Sequence, residues 1–192
     1  MRIIAGIAKG MPLHVPSSGV RPTADRTRAA IFSRLGQRVA GARVLDLFAG
    51  TGALGLEAAS RGAASVMFVE SSRSALQSLE RNVTSFQKNR ETKCRFRIVR
   101  GPVQSHLQKL ATMAETFYLI FADPPYGDTA QELLLDHDLP QLLDDEGELV
   151  LESARRKELK PMNPWEQVRE STYGDTRISI LRVQRQLVRG DR

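Results

Sequence analysis

From Arg43 to Glu152 the chain alternates short apolar runs with amphipathic ones, and that rhythm narrows the choice of fold more than any other feature. The apolar runs 43–48, 64–70, 93–99, 117–122 and 148–152 have the length and composition of buried strands. The segments between them, 53–61, 73–87, 103–113 and 130–138, carry helical spacing. Strands that alternate with helices predict an α/β fold, a Rossmann-like doubly wound and mostly parallel sheet. After residue 160 the rhythm changes. The runs 165–172 and 176–183 flank Tyr173-Gly174-Asp175 and read as a hairpin, so a seven-stranded sheet should close with an antiparallel C-terminal edge hairpin. Ahead of the sheet, 2–7 and 11–15 read as an N-terminal β-hairpin around Lys9-Gly10. A leading helix is predicted from a Thr23 N-cap to about Arg38, with Ala24, Arg28, Ile31, Phe32 and Leu35 on one face.

The expected organisation is one domain over 1–192: an N-terminal extension (1–20), a leading helix (21–40) and a Rossmann-like core (43–187). No apolar run approaches the roughly 20 residues of a membrane span, and the N-terminal apolar segment is too short for a secretory signal. One cysteine, Cys94, leaves no internal disulfide. These features predict a cytoplasmic protein, taken here as a monomer, with no membrane partner. His14, His106 and His137 lack metal-ligand spacing, so no metal is expected.

Lys and Arg total 28 against 22 acids, a net charge of +6. The excess is concentrated: Arg2, Lys9, Arg21, Arg26 and Arg28 belong to an N-terminal stretch whose sole acid up to Arg43 is Asp25. Such a distribution points to a polyanion, most simply nucleic acid.

The segment VLDLFAGTGALGLEAA (44–59) places Asp46 at the end of a strand and Gly50-Thr51-Gly52 in the turn before a helix. Ligands of doubly wound sheets bind beyond the carboxyl ends of the strands. Gly50, Gly52 and Gly55 also satisfy a dinucleotide spacing, but a carboxylate at Asp46 would repel a pyrophosphate. Asp46 suits a positive amino group instead, and Glu70, closing the next strand, suits a ribose diol. S-adenosylmethionine carries both and no phosphate. The expected cofactor set is Asp46, Phe48, Gly50, Thr51, Gly52, Glu70 and Val103. Since no Asp or Asn stands at Pro102, the adenine would rest on backbone groups and on Val69, Val103 and Leu107.

The fourth core strand stops at Asp123-Pro124-Pro125-Tyr126. Two prolines fix φ and withhold their N–H groups, which stiffens the loop and leaves the Pro124 carbonyl as an acceptor. Tyr126 offers a ring on which a flat base could stack, worth about 1–3 kcal/mol in single-strand binders. Asp123 and the Pro124 carbonyl would take the two N–H groups of an exocyclic amine and aim its lone pair at a methyl donor. A base within a helix must first be flipped out.

Asp-Pro-Pro-Tyr matches the [DNS]-P-P-[YFW] motif of amino-group methyltransferases. DLFAGTGALGLEAASRGA (46–63) and RPTADRTRAAIFSRL (21–35), with MRIIAGIAKG at the start and YGDTRISILR (173–182), resemble the RsmD-type 16S ribosomal RNA guanine-N2 methyltransferases. The resemblance implies a class I methyltransferase fold, S-adenosylmethionine as donor, and the N2 of a guanine in 16S rRNA as acceptor, the RNA free or within a small-subunit assembly particle. It implies that the amino-terminal hairpin and the Arg21–Arg28 block face RNA or close over the site. The active-site motif by itself also admits adenine N6 or a glutamine amide, and the basic charge by itself admits a non-catalytic RNA-binding protein.

Overall fold

The structure is a computed structural model that describes residues 1–16, 25–89, 91–125 and 129–184. Seven strands form one sheet: β1 (Arg43–Leu47), β2 (Ser65–Glu70), β3 (Arg95–Arg100), β4 (Phe117–Ala122), β5 (Leu143–Ala154), β6 (Trp165–Tyr173) and β7 (Thr176–Val183). Their order is β3-β2-β1-β4-β5-β7-β6. The first five are parallel, and β7 pairs antiparallel with both β5 and β6. The helices are α1 (Asp25–Leu35), α2 (Ala53–Ser60), α3 (Arg73–Gln87), α4 (Val103–Thr112) and α5 (Thr129–Leu135). No described helix is long and apolar enough to cross a membrane.

Strand side chains alternate between faces, so each strand feeds two cores. Val44, Phe68, Phe121 and Val150 pack with α1, α2 and α3. Leu45, Val69, Ile120 and Leu151 pack with α4 and α5. The helix α3 begins where Ser72 caps it, with the Ala75 N–H donating to the hydroxyl. The leading helix is shorter than its pattern predicts. It ends at Leu35 because Gly36 adopts φ +54, and a 3-10 turn carries the chain to Val39. The proposed Thr23 cap lies outside the described residues. Arg38 of that turn and Arg182 of β7 both donate to the buried Glu148 of β5.

The N-terminal hairpin departs from expectation. It has a single bridge, Arg2 to Pro12, in place of two strands. The reason is where its backbone donors go. The Ile4 and Ala5 N–H groups donate to Glu57 of α2 at 2.7 and 3.1 Å. The Ile7 N–H donates to the Ser60 carbonyl, and the Ala8 N–H to the Ser60 hydroxyl. His14 exchanges two bonds with the Asn82 side chain of α3. Ile3 exchanges backbone bonds with Met11 and Gly10, and the Leu13 N–H donates to the Met1 carbonyl, but the donors given to the helices leave the segment short of a two-stranded ladder. Its approach is close enough that a Cβ on Gly6, at φ +84, would lie 1.8 Å from the Ser60 carbonyl oxygen.

Candidate active site

A cleft of about 1020 Å³ opens at the carboxyl ends of β1, β2, β4 and β5. Asp46, Glu70 and Asp123 all line it, with Phe48, Ala49, Gly50, Thr51, Pro124 and Pro125. Two more walls come from elsewhere in the chain. Met1, Arg26 and Thr27 contribute from the N-terminal part, and Glu152 to Ala154, Lys157, Glu158 and the β6–β7 turn close the opposite side.

The loop after β1 is shaped by its neighbours. Phe48 turns the chain out of the sheet with φ +57, a left-handed conformation that side-chain-bearing residues seldom adopt. The Ala49 N–H then donates to the Val69 carbonyl at 3.1 Å. The Gly50 N–H donates to Glu70 Oε2 at 2.7 Å, while Glu70 Oε1 accepts from the Ser71 and Ser72 N–H groups at the entry to α3. Asp46 Oδ2 accepts from the Gly55 N–H at 2.9 Å, in the first turn of α2. Gly55 itself is a packing requirement, since a Cβ there would lie 2.4 Å from the Phe68 ring.

These bonds bear on which ligand the cleft can hold. A pyrophosphate would need the N–H groups of the glycine loop and the helix start. Here Gly50 and Gly55 already donate to carboxylates. Asp46 is 2% exposed and Glu70 8% exposed, and both sit where a ligand would enter. Burial pushes the Asp46 carboxyl well above the ordinary carboxylate range; the Gly55 N–H pulls it back, and the charges of Asp123 and Glu70 push it further up. A wall of acids in which Asp123 and Glu70 disfavour the charge of Asp46 is matched by a cationic ligand with hydroxyls to donate. The residues present therefore fit S-adenosylmethionine.

The remaining expected positions divide. Gly52, at φ +78, caps α2 but does not line the cleft. Val103 does not line it either: it is buried at the start of α4 in the core against β1 and β2, as are Val69 and Leu107. The adenine assignment for those side chains is corrected accordingly, because the face of α4 that carries Val103 and Leu107 turns inward onto Val69 of β2 and its neighbours. Ser71, Ser72 and Ala75 line that end of the cleft instead. Arg2, Lys9 and Arg26 are exposed, and Arg26 lies at the cleft.

Arg28, expected at the RNA surface, is 0% exposed. The N-terminal segment covers it, and its Nη2 donates to the Arg2 carbonyl and to Asp25. Desolvation lowers its pKa against the opposing pull of Asp25 and Glu57. It ties α1 to the N-terminal segment from inside and offers no surface to a polyanion. Arg21 and Tyr126 lie outside the described residues.

Sequence reasoning passed over Glu57, Ser60 and Asn82, the side chains that lash the N-terminal segment to α2 and α3. It passed over Glu152 as well. The signal for Glu152 was available: it ends an apolar run just as Glu70 and Asp123 do.

A family model described as conserved hypothetical protein 95 matches residues 1–182. YlbH of Bacillus subtilis, whose name assigns it a provisional rRNA methyltransferase role, is 34% identical over 94% of this chain and 97% of its own. Ribosomal RNA small subunit methyltransferase D of Escherichia coli is 37% identical over 80% of this chain and 71% of its own. The solved structure of a hypothetical protein from Thermus thermophilus superposes with a TM-score of 0.80 at 32% identity, covering 95% of this chain and 99% of that one.

Proposed function

For a chain that belongs to the conserved hypothetical protein 95 family, the RsmD type, we propose methyl transfer from S-adenosylmethionine to the exocyclic N2 of a guanine in 16S ribosomal RNA. The observation that carries this reading is the meeting of Asp46, Glu70 and Asp123 around one cleft. S-adenosylmethionine supplies the electrophilic methyl group. Asp46 receives its amino group and Glu70 its ribose hydroxyls, while the loop Phe48 to Gly52 shapes the space between. Asp123 and the Pro124 carbonyl accept the two N–H groups of the guanine amine, with Pro125 holding the loop stiff and Tyr126 stacking on the base.

The chemistry asks little more of the protein. The amine is conjugated with the ring and weakly nucleophilic, so orientation of its lone pair is the first contribution. The second is electrostatic: positive charge grows on N2 as the new C–N bond forms, and the Asp123 carboxylate faces it. The proton that N2 then sheds passes to Asp123 and on to water. No metal takes part in this scheme.

The same reading takes 1–192 as one catalytic unit, a cytoplasmic monomer whose substrate is the small-subunit RNA, free or within an assembly particle. Arg2, Lys9, Arg21 and Arg26 contact its phosphates. The test is methylation of small-subunit RNA, free and as particles, with labelled donor and nucleoside mass analysis. N2-methylguanosine is the expected product. Label in N6-methyladenosine, or in no nucleoside, overturns the assignment.

A further inference from the structure

The cleft holds one more acid at a strand end than methyl transfer requires. Glu152 lies in β5 and lines the cleft. Its place follows from register. In the parallel pair β4–β5, Phe121 stands opposite Val150 and Ala122 opposite Leu151. Asp123 follows β4 directly, and carrying the register one residue past the strand's end sets it beside Glu152. Phe121 and Val150 pack into one core, and Ala122 and Leu151 into the other. Because successive side chains alternate faces, Asp123 and Glu152 emerge together on the face of Phe121 and Val150. Neighbouring strands are about 4.8 Å apart, so this register sets the two residues side by side at the cleft that both line. Glu152 is also steadied from its other side, where the Thr176 hydroxyl of β7 donates to Oε1 at 3.3 Å.

Building on the guanine reading, we infer that Glu152 is the residue that selects the base, by accepting a hydrogen bond from the ring N1–H of the guanine whose 2-amino group faces Asp123. The match is one of donors to acceptors. Guanine presents N1–H and the 2-amino group side by side, two adjacent donors. Asp123 and Glu152 present adjacent acceptors, and the extra methylene of Glu152 lets it reach past the amine to the ring nitrogen. Adenine presents its 6-amino group beside an unprotonated N1, whose lone pair would confront the Glu152 carboxylate. Asp-Pro-Pro serves an exocyclic amine on any base. The acid beside it on β5 distinguishes one base from another.

The test uses 2-aminopurine, which keeps the 2-amino group and lacks the N1–H. The methylated guanine is located by mass mapping. Small-subunit RNA is then ligated with guanine or 2-aminopurine at that position, and kcat/KM is measured on both. Wild-type protein should favour guanine by about 100-fold, the scale of one lost bond to a charged group together with an unmatched acceptor. Glu152→Gln can donate to the bare N1 as well as accept from N1–H, so its preference should shrink to about tenfold or less. A merely structural Glu152 would lower both rates and leave their ratio unchanged. An unchanged ratio in the variant refutes the inference. So does a wild-type protein that methylates both RNAs equally, which decides the matter even if the variant does not fold. Failure of the wild type to methylate any guanine is a separate result: it removes the guanine reading itself, and this inference with it.

Discussion

Replacing Glu57 by Gln should loosen the whole N-terminal segment, and the size of the effect can be worked from its bonds. Glu57 is fully buried. One carboxylate oxygen accepts from the Ile4 N–H at 2.7 Å; the other accepts from the Ala5 N–H at 3.1 Å and from Arg61 Nε at 2.8 Å. A glutamine amide has one acceptor oxygen and one donor group. Whichever way it turns, a donor meets a donor. The loss of one bond to a charged group costs about 1.5–3 kcal/mol. Arg61 also loses its buried counter-charge, which alone can cost about 3–5 kcal/mol, but Arg61 is partly exposed and water recovers most of that. A net of about 3 kcal/mol follows, which in a domain of this size lowers Tm by about 6–12 °C. Calorimetry measures the shift, and hydrogen exchange locates it at the Ile4 and Ala5 amides. A Tm within about 2 °C of wild type, with both amides still protected, would refute the reasoning.

Three further outcomes are expected. Asp123→Ala should reduce single-turnover methyl transfer by at least about 10³-fold while leaving thermal stability and donor affinity near wild type; retained turnover would dismiss its role. Asp46 in the free protein holds its proton above the ordinary carboxylate range, and a cationic donor favours the ionised form. Donor affinity should therefore rise with pH until Asp46 ionises unaided. The linkage on stability has the opposite sign: the native state binds more protons than the unfolded one in that window, so the free protein loses stability as pH rises through it. Calorimetric titration across pH checks the first effect and thermal melts the second, and Asp46→Asn should flatten both profiles. Charge reversal at Lys9 or Arg26 should weaken RNA binding and lower the salt slope by about one per lost phosphate contact; an unaltered slope would take those residues out of the interface.

Most of the sheet was legible because buried parallel strands announce themselves as apolar runs and their helices by spacing. The α3 helix was readable to the residue, since Ser72 caps it and its apolar face is continuous. The N-terminal segment was not readable, because its backbone is satisfied by Glu57, Ser60 and Asn82, partners more than fifty positions away. Within the cleft, Glu70 and Asp123 stood out because each closes an apolar run, and Asp46 because it interrupts one just ahead of the glycine loop. Val103 misled because an apolar residue at a helix start looks the same whether it faces a ligand or a core. Arg28 misled because its charge pointed outward in chemistry while a short covering segment, invisible to local patterning, kept it inside. Glu152 was readable as an acid closing an apolar run, but which acid it stands beside follows from a β4–β5 register that exists only once the strands have paired.

The position of β7 has a consequence for how the molecule comes into being. It fills the slot between β5 and β6, and among the described strands β6 pairs with β7 alone. A ribosome delivers residues 176–183 after both strands they must join. Until that stretch clears the exit tunnel, the outer rim of β5 is bare and β6 has nothing to zip against, and bare rims invite pairing with other chains. The exposed interval is confined to the late part of synthesis, between the delivery of β5 and that of β7, and one late insertion seals the sheet.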